Sequence, residues 1–325
     1  MNETSPPATR ILAADAASIA EAARLIDAGR LVAFPTETVY GLGANALDDH
    51  AVSAIFAAKE RPRFNPLIVH VLQRGDAERF VEFHPLAAKL AETFWPGALT
   101  LVLKRRAASP LSLLVSAGLD TAALRAPAHP VARALIAAAG VPIAAPSANR
   151  AGSISPTAAP HVAEELTGHV DLILDAGRCP LGLESTVVGF DGGTPVLLRL
   201  GAISREAIER ITGPLGFAEA GRVQAPGMMQ SHYAPQARLR LEASEASPGE
   251  ALLAFGRNVP RTSAPTRNLS ATGNLTEAAV NFFAMLRELD RPGVDSIAVM
   301  PIPNVGLGEA INDRLQRAAA PRSGS

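Results

Sequence analysis

From residue 18 to residue 212, short apolar runs closed by Pro or Gly alternate with amphipathic segments of about ten residues, and this alternation sets the fold class. Ile19, Ala22, Ala23 and Ile26 share a helical face in 18–28, with Gly29 beyond it. LVAFP (31–35) reads as a buried strand. Residues 48–58 open with acids and place Val52, Ile55 and Phe56 on one face, a second helix. PLIVHVL (66–72), ALTLVLK (98–104), TAALRA (121–126), VPIAAP (141–146), DLILD (171–175), STVVGF (185–190) and PVLLRL (195–200) read as strands, and 130–139, 160–167 and 204–212 as helices. The class is α/β; strand order is not encoded in this pattern.

Residues 213–236 break the rhythm. They are rich in Gly, Pro and small residues, and a connection this long is a linker or a functional lid. A shorter α/β pattern follows, with strands at 237–241, 251–255 and 295–299 and helices at 276–289 and 307–319. The expected organisation is a first domain over 1–212, a lid over 213–236 and a small domain over 237–325. A length of 325 residues, 48% of them hydrophobic, suits that plan.

Charge excludes some functions. The net charge is -1, and neither part is a charged tail: Lys+Arg against Asp+Glu is 19 to 21 over 1–215 and 11 to 10 over 216–325. A globally basic nucleic-acid binder is not indicated. One cysteine, Cys179, permits neither a disulfide framework nor a thiolate zinc cluster, and fits a reducing compartment. MNETSPPATR does not resemble a signal peptide, and no run of about 18 apolar residues suggests a membrane span. A soluble, cytoplasmic protein is expected.

No P-loop, GxGxxG after a strand, HExxH or GxSxG is present. Chemistry concentrates instead in three polar loops. PTETVYGLG (35–43) leaves a strand with Thr36, Glu37, Thr38 and Tyr40; it is either a capped turn or a substrate rim at a strand end. KERPRFNPLIVH (59–70) places Lys59, Arg61 and Arg63 at two-residue spacing, which no helical face shares. An extended segment would aim Lys59 and Arg61 at one anion, while a solvated loop is the plain alternative. Only three of the 30 basic residues are lysines, so Lys59 is an unusual choice in this chain. SANRAGSISPT (147–157) is a loop able to wrap phosphate with hydroxyl and backbone N–H donors, or a simple Ser/Gly loop. Arg125 and Arg199 stand in apolar strands and need anionic partners. Cations and hydroxyls that gather at strand ends point to a polyanionic small molecule.

PTETVYGLG, KERP–NPL–IVH, SANRAGSISPT, ESTVV and LRLGAIS, in this order over 18–212, resemble the YrdC-like L-threonylcarbamoyladenylate synthases. PGMMQSHYAP (226–235) and GLGEAINDRLQRAA (306–319) resemble the linker and C-terminal domain of that family's long form. The resemblance implies a twisted open sheet around a concave cavity, plus a small Rossmann-like domain, with the linker across the cavity mouth. It implies condensation of L-threonine, bicarbonate and ATP to threonylcarbamoyl-AMP with release of pyrophosphate. Mg²⁺ would ride on the ATP, with no tightly held protein metal. A downstream transferase complex would carry the group to tRNA, so tRNA would be met only indirectly.

Carried onto matching positions, Thr38, His70, Arg125, Ala145 and Ser185 would hold threonine. Arg61, Asn65, Thr121, Ser147, Ser155, Arg199 and Tyr233 would contact ATP. Lys59, Arg61, Ser147 and Asn149 would form the catalytic tetrad. Two other readings are weaker. An RNA-binding module conflicts with the balanced charge, and hydrogenase-maturation relatives carry zinc-finger cysteines that this chain lacks.

Overall fold

A computed structural model describes residues 8–217 and 232–321. The first domain is built on one mixed sheet of eleven strands. Its left part runs β1 (Arg10–Ala13), β8 (Leu172–Asp175), β2 (Val32–Phe34) and β3 (Gly41–Asn45). Its middle is β7 (Ile143–Ala144), β4 (Ile68–His70), β6 (Thr121–Arg125) and β5 (Leu99–Lys104). It closes with β9 (Thr186–Asp191), β10 (Thr194–Arg199) and β11 (Gly216–Phe217). Parallel and antiparallel neighbours are interspersed: β4 runs parallel to β6 and antiparallel to β7. Helices α1 (Ala16–Asp27) and α5 (Pro130–Ala139) lie together, and Ala22, Ile26, Leu135 and Ile136 pack there against Val32 and Phe34.

Several elements escape the sequence pattern. Helix α4 (Pro85–Phe94) and strands β1 and β3 fall where no element was expected. Strand β3 is hidden by its glycines, and the structure explains one of them. A Cβ on Gly43 would come within 2.7 Å of the Phe34 ring on the paired strand, so only glycine lets the two strands close here.

Helix α2 (Asp49–Lys59) is capped by Asp48, whose carboxylate accepts from the His50 amide at 2.8 Å. It ends at Glu60, which takes a left-handed φ of 52°. Lys59 is therefore the last helical residue and does not lie in an extended run with Arg61. The expectation that these two cations share one side of an extended strand is corrected: the chain reverses between them at Glu60.

The second domain has four parallel strands in the order β12 (Arg238–Arg240), β15 (Ser296–Val299), β13 (Glu250–Ala254), β14 (Thr266–Asn268). Strand β14 falls where no element was expected. Helices α8 (Leu275–Leu289) and α9 (Leu307–Ala319) pack on each other and on the sheet. The two domains are not separately cored. Val39, Ile154 and Leu183 of the first join Phe282, Phe283 and Leu286 of the second in one buried cluster. No helix among the described residues is long and apolar enough to cross a membrane.

Candidate active site

Strand register gathers the polar loops. His70 pairs with Arg125 across β4 and β6 and with Ile143 across β4 and β7. A single bridge from Gly41 to Ser147 then brings the 147–157 loop to the start of β3. Around this point lies an open cavity, lined from β2–β3 by Thr36, Thr38, Val39, Tyr40 and Gly41. Arg61, Ile68, His70 and Arg125 line its base, Ala145, Pro146 and Ser147 one wall, and Glu184, Ser185 and Arg199 the other. His232 and Tyr233 complete the lining from the end of the linker. Residues 218–231 of the expected lid lie outside the described residues.

One end of the cavity is built on Arg125, only 3% exposed. Its guanidinium donates to Gly97 O at 3.0 Å and Thr38 Oγ1 at 2.8 Å and forms an ion pair with Glu37. Sequence reasoning named Glu37 among the polar residues of the 35–43 loop but gave it no role and did not pair it with Arg125. Its second carboxylate oxygen accepts the Ala128 and His129 amides at 3.1 and 3.3 Å. Burial pushes the Glu37 carboxyl up, but the Arg125 charge and these hydrogen bonds outweigh burial and hold it below 4.5. The requirement that a buried Arg have an anionic partner was the signal that could have found it.

His70 is buried at the same end with an unpartnered Nδ1, and burial, reinforced by Arg125, depresses it to about 3. Its imidazole is neutral at physiological pH. It can accept a hydrogen bond from a ligand but is too weak a base to keep a proton.

The other end is cationic. Arg61 is buried and held through Nε and a terminal nitrogen to the carbonyls of Asn65 and Pro66, at 3.3 and 2.9 Å. Burial lowers it to about 10, so it stays charged. Arg199 donates twice to Ser185 O, at 3.1 and 2.8 Å, and once to Ser185 Oγ at 3.0 Å. The Ser185 hydroxyl also meets Thr100 Oγ1 at 2.7 Å, which fixes it at the start of β9. Tyr233 has a left-handed φ of 65°, and its ring lies 4.0 Å from that of His232. His232 is kept neutral first by burial and then by Arg61, Lys59, Arg199 and Arg314 around it.

Some residues expected at the site stand behind or away from the cavity lining. Lys59 is buried, and its ammonium donates to the carbonyls of Ser147, at 2.6 Å, and Asn149. It braces the loop rather than lining the cavity. Burial, and then the Arg61 charge, lower its pKa well below 10.5. Asn149 is turned inward, its amide donating to Arg150 O and Ser153 O at 2.8 and 2.9 Å. Ser155 is fully buried and donates to Glu184 at 2.6 Å. Asn65 is buried at the foot of β4. Thr121 sits at the far end of β6 from Arg125, about 13 Å along the strand at about 3.3 Å per residue.

In the 147–157 loop the amides of Ala148, Arg150, Ala151 and Ser153 bond within the protein, and Ser147 is the loop residue that lines the cavity.

The Sua5/YciO/YrdC family model, "Telomere recombination", matches residues 24–201, and the model "Threonylcarbamoyl-AMP synthase, C-terminal domain" matches 203–320. A threonylcarbamoyl-AMP synthase of Pyrococcus abyssi is 41% identical, with 93% of this chain and 94% of that protein covered. The chain belongs to the threonylcarbamoyl-AMP synthase family. The Bacillus subtilis synthase is likewise 41% identical over 94% of this chain and 93% of its own. The crystal structure of P. abyssi Sua5 complexed with L-threonine superposes with a TM-score of 0.86 at 38% identity, covering 96% of this chain and 97% of that one. The mixed α/β sheet described above is thus the fold of this synthase family.

Proposed function

We propose that this protein condenses L-threonine, bicarbonate and ATP into threonylcarbamoyl-AMP and releases pyrophosphate, the first step of threonylcarbamoyladenosine modification of tRNA. The observation that carries this reading is the pairing of full-length similarity to threonylcarbamoyl-AMP synthases with a cavity of two unlike ends. One end, with Arg125, Thr38, neutral His70 and Ala145, suits an amino acid: the remaining Arg125 N–H groups face a carboxylate and His70 Nδ1 accepts from the amine, while Ser185, bonded to Arg199, lies where the two ends meet. The other, with Arg61, Arg199, Ser147 and Tyr233, suits a nucleotide triphosphate. Mg²⁺ enters on the triphosphate as part of the substrate.

Bicarbonate loses hydroxide to give carbon dioxide, the neutral threonine amine attacks its carbon, a C–N bond forms as one C=O π bond breaks, and the amine proton combines with the hydroxide as water. A carbamate oxygen then attacks the α-phosphorus in line, and the bond to pyrophosphate breaks. Carbamates hydrolyse quickly in water, so enclosure and alignment are the protein's main contribution. Arg61 and Arg199 stabilise the charge that grows on the phosphates. Lys59 holds the Ser147 and Asn149 carbonyls and so sets the position of the Ser147 hydroxyl.

The test is incubation with ATP, bicarbonate and L-threonine, followed by mass spectrometry. Threonylcarbamoyl-AMP and pyrophosphate should appear together. ATP turnover to AMP that does not need threonine would overturn the assignment.

A further inference from the structure

The largest fully buried side chain among the described residues is Arg314, on helix α9 of the second domain. Its Nε and one terminal nitrogen both donate to Glu184 Oε2 of the first domain, at 3.2 and 3.1 Å. Its other terminal nitrogen donates to Asp313 at 3.1 Å, and its guanidinium carbon lies 5.4 Å from the Tyr233 ring centroid. Glu184 Oε1 in turn accepts from Ser155. An unbroken chain therefore runs from α9 through Glu184 to the 147–157 loop. Glu184 and Tyr233 line the cavity; Arg314 stands directly behind both.

Stability alone does not account for this Arg. A buried ion pair is commonly matched or bettered by an apolar pair of similar volume, because two charges must be desolvated. Tyr233, on whose ring the guanidinium lies, and Ile311 and Leu315 on the same helix belong to an apolar cluster that an apolar residue here would extend. What a fixed guanidinium supplies is position. It sets the Glu184 carboxylate, orients the Ser155 hydroxyl toward it, and backs the Tyr233 ring.

Glu184 and Tyr233 line the cavity within electrostatic reach of Arg199, and Tyr233 also within reach of Arg61. We infer that Arg314 is a positioning residue for the nucleotide half of the active site, so that the second domain completes that half from behind. The inference rests on the assignment of the cationic end to ATP.

The test uses the full chain with Arg314→Met, Arg314→Lys, Glu184→Gln and the double variant E184Q/R314M. Binding of α,β-methylene-ATP and of L-threonine is measured separately by calorimetry, beside the melting temperature. Arg314→Met should weaken the analogue by about tenfold while threonine affinity stays within about twofold. Arg314→Lys, which keeps the charge and loses the fork, should fold normally and bind the analogue with intermediate affinity. The double variant leaves no unpaired buried charge, so it should regain melting temperature but not analogue affinity. If the double variant regains both, or if analogue and threonine affinities fall together, Arg314 only joins the domains. Analogue binding needs no turnover, so failure of the wild type to make threonylcarbamoyl-AMP would count against the proposed reaction and not against Arg314.

Discussion

Within KERPRFNPLIVH, three cations that look alike in sequence have three different fates. Lys59 is buried under a loop, Arg61 faces the cavity, and Arg63 is exposed. Arg61→Ala should lower turnover by about 10²–10³, the scale of losing one charge-stabilising donor. Arg63→Ala should leave turnover within about twofold, and steady-state kinetics of both variants checks the contrast. The buried titratable groups also set a pH dependence. Glu37 is held below 4.5, His70 is depressed from 6.5 to about 3, and His161 is depressed to about 4. Each is less protonated in the fold than in the unfolded chain. The stability these three groups contribute is therefore fully present above about pH 6.5 and is lost as pH falls toward 3. Melting temperature against pH should show this slope, and His70→Gln should flatten its upper part. A melting temperature constant down to pH 4 would contradict the buried neutral histidine.

Among the elements, the longer amphipathic helices and most apolar strands announce themselves. Helix α9 was expected at 307–319 and is observed at Leu307–Ala319, because its apolar face repeats with helical period. Strand β3 does not announce itself, since Gly43 is present for contact with Phe34 and carries no apolar signal. The same logic makes Gly182 a constraint between elements. It has φ 69°, and a Cβ there would lie 2.5 Å from Ala279 O and 2.7 Å from Val280 Cα on α8. Gly182→Ala should destabilise the protein by about 1–3 kcal/mol, the usual cost of forcing extra volume into packed contact. Denaturant titration measures it, and a midpoint equal to wild type would show that the loop moves freely from α8.

For the whole molecule, the cluster joining Val39, Ile154 and Leu183 to the second domain, together with the Arg314–Glu184 pair, ties the two sheets into one unit. Unfolding should therefore appear in calorimetry as a single cooperative transition. Two well-separated peaks would show that the domains melt independently. The sequence by itself determined the class, the order of most elements and the loops that carry polar chemistry, because periodicity, Pro and Gly punctuation and motif order are local properties. It also nominated Arg125 as a buried charge needing a partner. Only the tertiary structure decided that the partner is Glu37, that Lys59 braces carbonyls while Arg61 lines the cavity, and that Arg314 reaches the site from the other domain. Those facts depend on strand register and on the contact between domains, which join residues up to 130 positions apart and leave no mark in a local pattern.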